Sequence, residues 1–263
     1  MTAPPTEPPP PPPPPRRGMV LVPAGDVNVG LSAEARAKVL AQCRVDTEEN
    51  PKARETYCTE DALAGEATTG KKHVEAFYID RLEVSQLQYD RCVNQRGCKT
   101  LKLTWELDEQ PATGVTWEMA RQYCENQGGR LPTALEWLRA SRGDDDRLYA
   151  WGDESPEDGD LHRANYGRLD RRGPGPSRTD GHKYAAPVGV FAERSASPFG
   201  LANMAGNVRE WVSDEAADGA ALTAGGGWRD LGMDLRVTRV LPVARDQYQN
   251  DLGFRCAMDV PRR

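Results

Sequence analysis

Oxygen donors alternate with small residues in Asn203-Met-Ala-Gly206-Asn-Val208-Arg-Glu210. A side-chain amide, two backbone carbonyls and a carboxylate from this one loop can together ring a hard cation. Calcium favours such a flexible cage of six to eight oxygens. Taken alone, an Asn/Gly run of this kind reads as a polar turn. Two further segments set its context: Gly225-Gly-Gly-Trp228, where backbones pack closely, and Gly253-Phe-Arg-Cys256, which ends in a cysteine. Other chemistries find little support. The chain has no Gly-x-Ser-x-Gly, no His-Glu-x-x-His and no P-loop. Asp144-Asp145-Asp146 reads as an exposed acidic turn, and the three histidines, His73, His162 and His182, are scattered.

The elements that position these residues sit in a chain of 263 residues with 25 Gly, 21 Pro and a mean hydropathy of −0.69. That composition predicts a loop-rich globule. A net charge of −6, with arginines dispersed among acids, leaves no nucleic-acid footprint. No apolar run approaches the roughly 18 residues of a spanning helix, and no secretory leader is visible. Six cysteines, Cys43, Cys58, Cys92, Cys98, Cys124 and Cys256, form no Cys-x-x-Cys pair. Zinc and thioredoxin-like readings are therefore weak, while arithmetic leaves fifteen pairings open. Cys92 and Cys98 are near enough for a local bridge. Paired cysteines imply an oxidising compartment, hence a periplasmic, cell-surface or secreted protein whose leader or anchor lies outside this chain.

Residues 1–18 are a Pro-rich linker with an unbroken run from Pro8 to Pro15, which favours an extended polyproline II spacer. The folded domain is expected over 19–260. Met19-Val-Leu-Val-Pro-Ala-Gly25 reads as a strand continued by Asp26–Gly30. Residues 31–70 form a polar excursion with a short helix near Ala33–Gln42 and a Cys43–Cys58 bridge. His73–Asp80 alternates as a strand. Ser85 caps a helix carrying Leu87, Tyr89, Cys92 and Val93. Thr116 caps a second, with Trp117, Ala120 and Cys124 facing inward, and Thr133-Ala-Leu-Glu136 is a capping box opening a third that runs to Arg142. The Gly/Pro/Asp-rich loops from Asp144 onward need a tie, which a metal ion would supply.

Met19-Val-Leu-Val-Pro-Ala-Gly25, Phe77-Tyr-Ile-Asp80, Gly114-Val-Thr-Trp117, Gly129-Arg-Leu-Pro-Thr133, Tyr149-Ala-Trp-Gly152, Gly200-Leu-Ala-Asn-Met-Ala-Gly-Asn-Val-Arg-Glu-Trp211, Gly225-Gly-Gly-Trp228 and Gly253-Phe-Arg-Cys256 occur in one order. With them the chain resembles the formylglycine-generating enzyme (sulfatase-modifying factor) family over about residues 19–258. The resemblance implies an α+β, C-type-lectin-like fold with little regular structure and long ordered loops. It also implies a Cys124–Cys256 disulfide and up to two structural calcium ions. One calcium set is Asn203, Gly206, Val208 and Glu210. The other is Asn165, Tyr166, Asp180 and His182, with Tyr166 and His182 giving carbonyls. In the family pattern Glu83, which could pass for a general acid, belongs to a structural strand end.

The chain departs from the family's oxidase members where their two Cu(I)-binding cysteines would fall: Asp230 and Leu235 stand there. A carboxylate and a leucine cannot hold Cu(I) as a dithiolate, so copper is not expected and no catalytic residue is assigned. The expectation is a pseudoenzyme, a calcium-stabilised binding module. Its ligand face would be drawn from Trp228, Arg229, Asp230, Arg236, Arg239, Arg245 and Tyr248, residue types useful in recognition of a protein, peptide or carbohydrate. The alternative is a metal-dependent oxidase of the same family, formylglycine-generating or non-haem iron, with an altered active site.

Overall fold

The computed structural model describes residues 15–66, 70–158, 161–170 and 173–261; most of the Pro-rich linker lies outside them. In chain order the elements are β1 (Met19–Val22), β2 (Gly25–Val29), α1 (Ala33–Asp46), α2 (Pro51–Tyr57), a 3-10 turn (Asp61–Glu66), β3 (Gly70–Val74), β4 (Phe77–Asp80), α3 (Gln86–Asn94), α4 (Trp117–Asn126) and α5 (Ala134–Arg142). The short strands β5 (Glu157–Asp158), β6 (Leu161–His162), β7 (Arg168–Asp170) and β8 (Gly173–Gly175) follow. Then come β9 (Arg209–Glu215), β10 (Ala221–Ala224), a second 3-10 turn (Gly232–Leu235), β11 (Val240–Val243), β12 (Leu252–Gly253) and β13 (Ala257–Asp259). Helices, short strands and long loops together make the expected mixed α+β architecture.

Two sheets organise these pieces. β1, β4 and β13 form an antiparallel sheet in which Ile79 faces Val20 on one side and Ala257 on the other. The second sheet has the order β11-β10-β9-β12, with β12 parallel to β9. The stretches read as single strands at each end of the 31–70 excursion are each divided. Pro23 cannot donate to a ladder, and the chain turns after β1, so that β2 pairs instead with β3. His73–Asp80 is likewise shared between β3 and β4 in different sheets.

Local caps explain the helices. Ser85 and Thr133 each make a reciprocal capping box, with Gln88 and Glu136, and Thr116 accepts from the backbone N–H of Met119. The helix expected to end near Gln42 runs on to Asp46, and α2, foreseen by no pattern, is capped by Asn50 with Pro51 in its first turn. Trp117, Ala120 and Cys124 on α4 pack with Tyr89, Trp211, Leu252 and Phe254 in one core; Trp137 and Leu138 on α5 pack with Val22, Phe77, Ile79 and Met204 in the other. All six cysteines are bridged, as Cys43–Cys58, Cys92–Cys98 and Cys124–Cys256. Among the described residues no helix is long and apolar enough to cross a membrane.

Candidate functional site

The loop from Asn203 to Glu210 is the buried hub of the molecule. Asn203 and Asn207 hold left-handed backbone at φ 55° and 66°, a conformation asparagine tolerates better than most side chains. Gly206 lies between them at φ 92°, where a Cβ would come within 2.7 Å of the Asn165 carbonyl oxygen. The two asparagine amides donate to opposite oxygens of Glu83, at 3.0 Å and 2.8 Å. Asn207 also clips the backbone of Ala186 through both ends of its amide. Glu210 accepts from Arg255 Nε and Nη2 at 2.7 Å and 2.6 Å and from the Trp137 indole at 2.8 Å. Arg255 spends its remaining donors on the carbonyls of Asp80, Arg81 and Ala202. Glu83, Asn207 and Arg255 were not among the expected site residues. Their signal in the sequence is the company they keep: each is a polar residue set inside an apolar, closely packed segment.

Burial pushes the Glu83 carboxyl up to about 7; Arg255 opposes this and Glu210 adds to it. Since the unfolded carboxyl titrates near 4.5, the native state keeps a proton that the unfolded chain has lost between those values. The contribution of Glu83 to stability is therefore complete below about pH 4.5 and falls away as pH rises to about 7, a loss on the order of 3 kcal/mol. Glu83→Gln cannot titrate. Urea unfolding midpoints measured from pH 4.5 to 8 should decline less steeply in this variant than in the parent; parallel curves would refute the assignment.

The two oxygen sets differ in their readiness for calcium. At Asn165, Tyr166, Asp180 and His182, Asp180 Oδ1 accepts from the His182 N–H at 2.8 Å, while Asp180 Oδ2 is buried with no partner among the described residues. Burial raises this carboxyl above its ordinary value, with the His182 and Tyr166 N–H groups opposing. A buried carboxylate oxygen without a donor is the kind of ligand a hard cation takes. At Asn203, Gly206, Val208 and Glu210 the carboxylate is taken up by a guanidinium, and the Asn203 amide nitrogen faces Glu83 and the Val188 carbonyl. Calcium there would share Glu210 with the Arg255 guanidinium and the Trp137 indole.

The residues expected to share one ligand face are divided among three settings. Trp228 is buried, its ring edge-on to Tyr184 at 5.2 Å, and the Arg229 guanidinium lies over it at 4.6 Å. Arg245 stacks on Trp117 at 3.9 Å, and Tyr248 is exposed. Asp230, Arg236 and Arg239 line a cavity of about 470 Å³. Arg236, expected to meet ligand, is instead buried against Glu66, with Nε to Oε1 at 3.0 Å and to Oε2 at 2.9 Å; Thr238 donates to the same carboxylate. Asp230 is held by the Gly227 N–H at 2.8 Å, with Arg239 at 3.5 Å and Arg209 at 3.8 Å, and burial raises its carboxyl. Leu235 is wholly buried in the core.

The 31–70 excursion builds the other wall of that cavity. Its Glu66 grips Arg236, and Asp46 at the end of α1 accepts from the Met233 N–H at 2.8 Å. Gly232 permits this approach, since a Cβ there would meet the Asp46 carboxylate at 2.9 Å. Cys43–Cys58 fastens α1 to the end of α2. The insertion is thus a cap seated on the segment that carries Asp230 and Leu235.

These observations define a class: an α+β scaffold with a short-stranded sheet, long ordered loops and a pocket beside a Gly-Gly-Gly-Trp turn. The model of the sulfatase-modifying factor enzyme 1-like domain matches residues 5–260, and the chain belongs to that family. It is 32% identical over 164 residues to the inactive C-alpha-formylglycine-generating enzyme 2 of Bos taurus, covering 59% of this chain and 52% of that protein. To the formylglycine-generating enzyme of Streptomyces coelicolor it is 36% identical over 173 residues, covering 57% and 52%. The chain thus spans about half the length of these curated relatives. The structure of PvdO from Pseudomonas aeruginosa superposes with a TM-score of 0.64 at 19% identity, covering 92% of this chain and 94% of that one, and so shares the fold.

Proposed function

We propose that this chain is an exported, non-catalytic binding module of the sulfatase-modifying factor family, stapled by three disulfides and steadied by calcium. The carrying observation is the donor set at the cavity. Every cysteine is in a disulfide, and the two positions where the family's oxidases place copper thiolates hold an ion-paired carboxylate and a core leucine. Similarity to a protein named as inactive supports the same reading. The three bridges suit an oxidising compartment.

The ligand side is the Trp228–Gly253 segment and the cavity beneath the cap. Charges of both signs and the Thr238 hydroxyl there suit a small polar, peptide or carbohydrate ligand. The Asn165–Asp180 set would hold one calcium ion, tying the loop that includes Tyr184 to the hub; an ion at the Asn203 set would share Glu210 with Arg255.

The test incubates the purified protein with Cu(I), reductant, oxygen and a cysteine-containing sulfatase peptide, and follows the peptide by mass spectrometry. No conversion of cysteine to the aldehyde is expected, and turnover would overturn the non-catalytic reading. Elemental analysis of the same preparation should find about one calcium per chain, lost in Asp180→Ala; a calcium content indifferent to that substitution would remove the site.

A further inference from the structure

A second cavity, of about 590 Å³, opens away from the capped one, where the chain enters β1 and α3 begins. Arg16, Arg17, Arg81 and Arg91 line it, together with the carboxyl groups of Asp80 and Glu83. Asp80 is fully engaged: Arg16 Nη2 reaches its two oxygens at 2.5 Å and 2.6 Å, and the Cys256 N–H donates to Oδ2 at 3.0 Å. Glu83 is committed to Asn203 and Asn207. Arg81 uses only its Nε, on the Gly200 carbonyl at 3.1 Å, and the Arg17 and Arg91 guanidiniums have no hydrogen-bonded or ion-paired partner among the described residues. Tyr123 lies on the same cavity wall as Arg16, Asp80 and Arg91.

The charge balance is unusual for this protein. The lining carries four guanidiniums against the Asp80 carboxyl, already paired with Arg16, and the Glu83 carboxyl, already bonded to two amides, on a chain whose net charge is −6. Arg121, by contrast, is matched locally by Glu118 and Glu125. Three guanidiniums on one cavity lining without ion-paired counter-charge repel one another, and a doubly charged oxyanion relieves that repulsion while accepting bidentate N–H donation from more than one arginine. The volume exceeds what a bare anion fills and falls in the range of small-ligand sites. Gln88 on α3, Gln95 and Gln127 just past the ends of α3 and α4, and Tyr123 complete a wall suited to a polar organic portion.

We infer that this cavity binds a phosphate dianion, free or as the monoester of a small polar molecule, between Arg17, Arg81 and Arg91. The site does not depend on the capped cavity or on calcium.

Calorimetric titration of the full chain with inorganic phosphate, with glucose 6-phosphate and with phosphatidylglycerol vesicles tests this. Saturable binding of inorganic phosphate or glucose 6-phosphate is expected, weakened at least about tenfold in Arg91→Gln and in Arg17→Gln and unchanged in Arg121→Gln. Both substituted side chains are exposed, so thermal melting should confirm that the variants remain folded. Tighter binding of the sugar phosphate would identify an ester ligand, and tighter binding of inorganic phosphate a free anion. Absence of saturable binding, binding unaffected by the two variants, or binding to vesicles alone would each overturn the proposal.

Discussion

Replacing Arg255 by alanine should destabilise the protein by about 3–5 kcal/mol, the range for breaking a buried ion pair from one side. Arg255 and Glu210 are essentially without solvent exposure and meet through two hydrogen bonds. Removing the guanidinium leaves Glu210 with only the Trp137 indole as side-chain donor and strips three backbone carbonyls of a partner. The lost positive charge should also raise the Glu83 carboxyl further, because Arg255 is the largest influence holding it down. Urea denaturation at pH 7 reads the effect directly. A loss below about 1 kcal/mol, the net worth of an ordinary hydrogen bond, would show that the hub does not depend on this pair. Arg255→Lys should recover only part of the loss, since one ammonium cannot serve the carboxylate and three carbonyls from a planar fork.

The second large effect concerns Cys124–Cys256. These residues are 132 positions apart, and both sulfurs lie in the core formed by α3, α4, β9 and β12. Constraining so long a loop in the unfolded chain contributes about 5 kcal/mol in the chain-entropy model. The double replacement Cys124→Ala/Cys256→Ala should therefore cost several kcal/mol and shift the urea midpoint well beyond what loss of Cys92–Cys98, a six-residue separation, would do. Equal effects of the two removals would contradict the loop-length account. Removing Cys43–Cys58 should act differently. It frees α1 from α2 within the cap, so its expression is local: faster hydrogen exchange over 31–66, and a smaller change in global stability.

Much of the scaffold was legible because it is written locally. Ser85, Thr116 and Thr133 cap helices through their own third residues, an interaction that needs no distant partner. The inward stripes of α4 and α5 follow from a 3.6-residue period. Pairing of Cys124 with Cys256 and the overall fold followed from the ordered set of motifs, whose spacing is far more specific than any one of them. What escaped were boundaries set by register between distant strands: whether 19–30 is one strand or two depends on β3 and β4, which lie some fifty residues on.

The sequence by itself determined the family scaffold, the capped helices, and the absence of thiols at the two positions that would define copper chemistry, because each is a matter of residue type and near-neighbour spacing. Only the tertiary structure decided what the charged residues do. Arg236 looks from its sequence like a recognition residue and is a buried clamp for Glu66, 170 positions away. Glu210, read from its sequence as a calcium ligand, is paired with Arg255, 45 positions away. Arg17, Arg81 and Arg91 look like scattered surface charge and converge on one cavity. A charge acts over a few ångströms and is priced by its burial, and both its neighbours and its burial are set by contacts between segments that the order of the chain does not bring together.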